Sequence, residues 1–196
     1  MIGKLARKTA KMFVNNNTKF NSVEMYQYAF FIILSTFIFF VLTIMIGAIL
    51  SVLFESIVFY FSFLLIRLYA GGYHASKEIT CDIITSISIF GCVFLIRLSK
   101  TYEFQIQLIV ITLFSVLCIF ALCPLDTPEK PLSKKEVKYF RKISWLILLI
   151  ISVLVLISFI FEWKFLFAPS CLSLILESIL LVAGKVKRVY QLKNAE

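Results

Sequence analysis

Apolar residues run through the chain in six long blocks, about Tyr28–Leu50, Val52–Ala70, Ile79–Ile96, Phe104–Leu122, Ile143–Phe161 and Phe165–Ala183. Each approaches the ~20 residues that an α-helix needs to cross a ~30 Å hydrocarbon core. The pattern predicts an all-α polytopic membrane protein with about six transmembrane helices. The third block is the most polar, with Asp82, Thr85, Ser86 and Ser88. It crosses the bilayer or re-enters it, and re-entry is tolerated only where the backbone lines a protein cavity. Ahead of the first block the period changes. Ile2, Leu5, Ala6, Met12 and Phe13 fall on one helical face, and Lys4, Arg7, Lys8 and Lys11 on the other. That is the pattern of an N-terminal interfacial amphipathic helix over residues 1–20, lying on the membrane rather than crossing it. The same segment lacks the continuous apolar stretch and small-residue cleavage site of a signal peptide. No Pro/Gly/Ser-rich linker divides the chain, so one domain over 1–196 is expected. It comprises the amphipathic segment, a transmembrane region over 28–184 and a basic tail over 185–196.

Composition agrees with lipid as the solvent. The chain is 61% hydrophobic, with 21 phenylalanines among 196 residues. A soluble domain is usually ~45–50% apolar. The net charge of +9 would suggest nucleic acid in a soluble protein. Here the charges lie between apolar blocks, so they act first as topology signals and contacts for anionic lipid, with no nucleic-acid partner expected. With the N-terminus in the cytoplasm and all six blocks crossing, only Arg97, Lys100 and Lys164 of the 20 basic residues fall outside. The positive-inside bias therefore places both ends in the cytoplasm. The five cysteines, Cys81, Cys92, Cys118, Cys123 and Cys171, form no CxxC pair. A disulfide framework or zinc site is not expected, and most of them read as small buried hydrophobes.

The chemistry-bearing residues gather between the second and third blocks. His74 is the only histidine, and Cys81 lies seven residues later. An imidazole can take a thiol proton and stabilise the resulting thiolate nucleophile. On a continuous helix seven residues rise about 10.5 Å, too far for a ~3 Å proton transfer. A dyad therefore requires a break, and Gly71-Gly72 supplies one. His74 is then expected on a turn folding back over Cys81. Ser76 or Thr80 would cap the helix that follows, and Cys81 would sit in its first turn, where the helix dipole favours a thiolate. Glu78 and Asp82 are the nearby carboxylates and could orient His74, or pair with Lys77 or Arg67. The plain alternative is an interfacial histidine and a buried cysteine. Nothing indicates a metal or organic cofactor.

A second polar stretch, Cys123–Lys138, carries three prolines and the basic residues Lys130, Lys134 and Lys135. Prolines stiffen it. A rigid basic loop can dock an acidic peptide or anionic headgroups, or can simply set topology.

These residues resemble the accessory gene regulator B family, membrane endopeptidases that process the precursor of a cyclic quorum-sensing peptide in Gram-positive bacteria. The likeness covers the length, the N-terminal segment and the spacing of the blocks. Its specific part is Arg67, Gly71, Gly72, His74 and Cys81, which matches the family's R-x-x-x-G-G-x-H-x6-C signature. The stretch Pro124–Pro131 is similar to a second family motif. The resemblance implies a cysteine peptidase of the bacterial plasma membrane, acting at the cytoplasmic face, with Cys81 as nucleophile and His74 as general base. It implies an amphipathic propeptide as the substrate, cut on the C-terminal side of the future signal. The signal fragment is held as a thioester until an internal Cys or Ser closes a thiolactone or lactone. Membrane lipids are expected partners, and pairing into a homodimer is open. Two other classes compete with this reading. A small transporter would use Glu55, Asp82 and Glu177 within the apolar blocks, and a membrane scaffold would need no chemistry at all.

Overall fold

A computed structural model describes residues 23–73, 78–102, 104–125 and 133–193. The expected amphipathic helix over 1–20 lies outside the described residues. Six helices follow one another: α1 (Val23–Ile49), α2 (Leu53–Ala70), α3 (Glu78–Ser99), α4 (Gln105–Leu122), α5 (Lys134–Ile160) and α6 (Lys164–Lys193). All six contain a span long and apolar enough to cross a membrane. Helices satisfy every backbone N–H and C=O within the segment, which lipid demands. The hydroxyls inside the apolar blocks obey the same demand. Thr43, Ser56, Thr85, Ser86 and Thr112 each donate to the carbonyl four residues earlier, at 2.7 to 2.9 Å. The third block is one unbroken 22-residue helix, so among the described residues it has the form of a crossing segment.

The chain divides into two compact units, Met1–Thr43 and Ile44–Glu196. In the first, the described residues form the greater part of α1. In the second, α6 is the central helix and touches α2, α3, α4 and α5. From Phe167 to Ser178 every residue but half-buried Ile175 is buried. A helix apolar all round belongs in the interior. Ala168, Ser170, Cys171 and Ser173 keep its surface small there, which lets neighbouring backbones approach closely in a bundle that lipid does not drive together. The outer helices turn large apolar side chains outward, such as Ile83, Phe90 and Phe114.

Several boundaries differ from those of the apolar blocks, with α1 beginning at Val23 and α3 running on to Ser99. Helix α5 begins at Lys134, nine residues before the apolar block, because Ser133 and Glu136 form a reciprocal capping box. Lys134 and Lys135 are therefore helical residues and not part of a loop. Helix α6 continues past Ala183 to Lys193. Thr80 lies inside α3, which already begins at Glu78, so it does not cap that helix.

Candidate functional site

The segment that precedes His74 is fastened from three sides. Helix α2 stops at Ala70, where Gly71 adopts φ 81° and Gly72 φ 138°. Both values lie in the region that favours glycine. A Cβ at Gly71 would overlap the Leu125 carbonyl oxygen, and one at Gly72 would overlap the Arg67 guanidinium. The chain break expected at Gly71-Gly72 is thus present, and both glycines are also needed for close approach.

Arg67, one turn from the end of α2, folds its side chain over this break. Its Nη1 donates to the Gly71 carbonyl at 2.8 Å and its Nη2 to the Tyr73 carbonyl at 2.7 Å. The planar fork of a guanidinium suits two carbonyls held at a fixed spacing. From α6, the Leu180 carbonyl accepts the Tyr73 N–H at 2.9 Å. From the α4–α5 connection, the Leu125 N–H donates to the Ala70 carbonyl at 2.8 Å, and Gly71 and Leu125 form an isolated parallel bridge. The strip Gly71–Tyr73 accordingly has its backbone polar groups tied to α2, to α6 and to the α4–α5 connection.

Two residues of α6 shape the floor beneath the strip. Glu177 is fully buried, and its Oε2 lies 3.8 Å from Arg67 Nη1. Gly184 leaves the space in which the strip lies: a Cβ there would fall 2.6 Å from Leu125 Cδ2 and 3.0 Å from the backbone of both Gly72 and Tyr73. Farther along α6, Lys187 Nζ lies 5.5 Å from the centre of the Tyr73 ring, within range of a cation–π interaction.

Cys81 is the fourth residue of α3 and is half-buried. Its carbonyl accepts the Thr85 hydroxyl at 2.9 Å. Cys92, Cys123 and Cys171 are buried, and at the end of α4 burial pushes the Cys123 thiol up. Asp82 is half-buried next to Cys81. The described residues hold no cluster of three or more His, Cys, Asp or Glu side chains able to ligate a metal. His74 and Lys130 lie outside the described residues, as does the side chain of Glu78. Lys134 and Lys135 are exposed in the first turn of α5.

Sequence reasoning reached Arg67, Gly71 and Gly72 but missed Leu125, Leu180 and Gly184, whose part is played by backbone or by an absent side chain. Glu177 carries a signal in the sequence, as a carboxylate deep in an apolar block, which on its own fits a transport site. It faces Arg67 instead, and Glu55 is paired with Lys100. Two of the three carboxylates a transporter would use are thus held in ion pairs.

The accessory gene regulator B family model matches residues 6–181. An accessory gene regulator protein B of Staphylococcus aureus (strain bovine RF122 / ET3-1) is 35% identical over 153 residues, which cover 77% of this chain and 78% of that protein. A Clostridium perfringens (strain 13 / Type A) protein described as AgrB-like is 29% identical over 147 residues, covering 72% of this chain and 69% of the relative. No solved structure matches the chain.

Proposed function

Because the chain belongs to the accessory gene regulator B family and carries six helices able to cross a membrane, we propose that it is a membrane-embedded cysteine endopeptidase of quorum-sensing signal maturation. Its substrate is a small amphipathic propeptide. Cys81 is the nucleophile and His74 the general base. The observation that carries this reading is the fastened strip Gly71–Tyr73, which runs directly into His74, with half-buried Cys81 in the first turn of the next helix.

His74 removes the Cys81 thiol proton, and the thiolate adds to the scissile carbonyl. Collapse of the tetrahedral intermediate breaks the C–N bond, and His74 returns the proton to the leaving amine. The signal fragment remains as a thioester on Cys81. An internal Cys or Ser of that fragment, deprotonated by His74, then attacks the thioester carbonyl. The ring closes as a thiolactone or lactone, and the Cys81 thiolate leaves and is reprotonated. Ring closure in place of hydrolysis requires that water be kept from the thioester, and a site beside lipid supports this. Lys130, between α4 and α5, and Lys134 and Lys135, in the first turn of α5, attract an acidic part of the propeptide and anionic headgroups. The termini and the site face the cytoplasm of the bacterial cell in this reading, following the placement of the basic residues.

Co-expression with a candidate propeptide tests it by mass spectrometry. A thiol-labile adduct on Cys81 is expected in wild type, absent in Cys81→Ala and reduced in His74→Ala. Cleavage by Cys81→Ala at the wild-type rate overturns the mechanism.

A further inference from the structure

We propose that Glu177 is a positioning residue for this reaction: through Arg67 it sets the strip that delivers His74. The inference rests on the peptidase reading above and adds a residue from a helix 96 positions away from the nucleophile.

The geometry supplies the argument. Arg67 gives its two terminal nitrogens to the carbonyls of Gly71 and Tyr73. Glu177 approaches Nη1 only to 3.8 Å, and neither of its oxygens has a hydrogen-bond partner although both are buried. A carboxylate that holds the guanidinium solely as a structural clamp would take its N–H groups in a bidentate pair. Here those donors are turned to the strip, and the carboxylate balances the charge from below. A buried, unbonded carboxylate is an expensive group inside a membrane bundle, and its charge matches that of Arg67, whose guanidinium holds the strip. Arg67 is 19% exposed, so without Glu177 its head would gain from turning outward to water or headgroups.

The spacing on α6 strengthens the assignment. Glu177, Leu180 and Gly184 fall three and seven residues apart, which places them on one helical face. The first offers charge to Arg67, the second a carbonyl to Tyr73 N–H, and the third the space for the strip. One face of the central helix thereby serves as a template for the residues that lead into His74.

The test uses the full chain in phosphatidylglycerol-containing vesicles, with Glu177→Gln and Glu177→Asp. Two readouts are taken: hydrogen exchange at the Tyr73 and Leu125 amides, and active-site-titrated kcat and KM on the propeptide. Glu177→Gln is expected to speed exchange at Tyr73. It should also lower kcat on the order of 10–100-fold, as misplacement of a catalytic group by about 1 Å does, with KM within about twofold. Glu177→Asp keeps the charge and should recover most of kcat. Wild-type kcat in Glu177→Gln, or unchanged exchange at Tyr73, overturns the proposal. So does a loss of activity that vanishes once rates are divided by titrated sites, since that marks a folding role alone. If Glu177→Gln does not accumulate, Glu177→Asp is read against Arg67→Lys by the same criteria, and equal exchange in all three proteins overturns it. Should wild type process no propeptide, the peptidase reading falls, and exchange at Tyr73 still decides whether Glu177 holds the strip.

Discussion

Replacing Gly184 by alanine separates stability from function in one methyl group. The added Cβ would lie 2.6 Å from Leu125 Cδ2 and 3.0 Å from Gly72 C and Tyr73 N. Carbon contacts relax to about 3.5–4.0 Å, so the strip must rise by about 0.5–1 Å, because Leu125 can swing its end away but the backbone cannot. The Tyr73 N–H bond to Leu180, now 2.9 Å, then stretches beyond useful hydrogen-bond length. Overpacking of this kind costs about 1–3 kcal/mol, while alanine in place of glycine in a helix returns about 1 kcal/mol. The net loss of stability is about 0–2 kcal/mol, small enough for the protein to accumulate. Activity responds differently: a shift near 1 Å in the segment that leads into His74 lowers the rate on the order of 10–100-fold. Gly91 in α3 is the matched control, because a Cβ there meets nothing within 4 Å. Gly91→Ala should keep full activity and gain slightly in stability. The assay is the rate of thiol-labile adduct formation in vesicles, alongside thermal unfolding in mild detergent. If Gly184→Ala forms adduct at the rate of Gly91→Ala, the strip does not need its place on α6 and the reasoning fails.

Three further outcomes follow from other parts of the molecule. Ser133→Ala removes the hydroxyl that caps α5 and should cost about 1 kcal/mol, seen as faster hydrogen exchange in the first turn with Lys134 and Lys135. Glu55→Gln breaks the pair with Lys100, whose side chain is 38% exposed. Glu55 itself is buried, its side chain 10% exposed, so the loss should exceed that of a surface pair, at about 1–3 kcal/mol, with a lower unfolding temperature and processing per folded protein unchanged. Maleimide at neutral pH should label half-buried Cys81 well before Cys123, since burial pushes the Cys123 thiol up and lowers its thiolate fraction; peptide mapping of a labelling time course reads the order.

The helices were legible because lipid leaves the backbone few choices: six apolar blocks had to be helices, and their centres fall where hydropathy places them. The ends were harder to read. Lys134–Lys138 is polar and falls in the stretch expected as a loop, although Ser133 and Glu136 spell a capping box there. The site was legible as far as local chemistry reaches. Gly71-Gly72 signals a break, and Arg67 sits one turn before it. What remained hidden depends on chain segments that meet only after folding. Nothing local to Glu177 says that a guanidinium 110 residues earlier will face it, and nothing in Leu125 or Leu180 announces that their backbones will hold a strip of another segment. Thr80 shows the converse failure, a good capping residue placed inside its helix because α3 begins two residues sooner.

The single bridge between Gly71 and Leu125 sets a rule for exchanging parts among relatives. With one pair in register, inserting or deleting a residue between Cys123 and Leu125 would slide a different amide onto the Ala70 carbonyl and shift the strip. Residues 126–132 lie between that bridge and the capped start of α5 at Ser133. Chimeras that trade substrate preference should be cut after Leu125 and before Ser133, leaving both anchors to the host. Grafts cut inside the anchors would confound altered recognition with a displaced Gly71–Tyr73 strip.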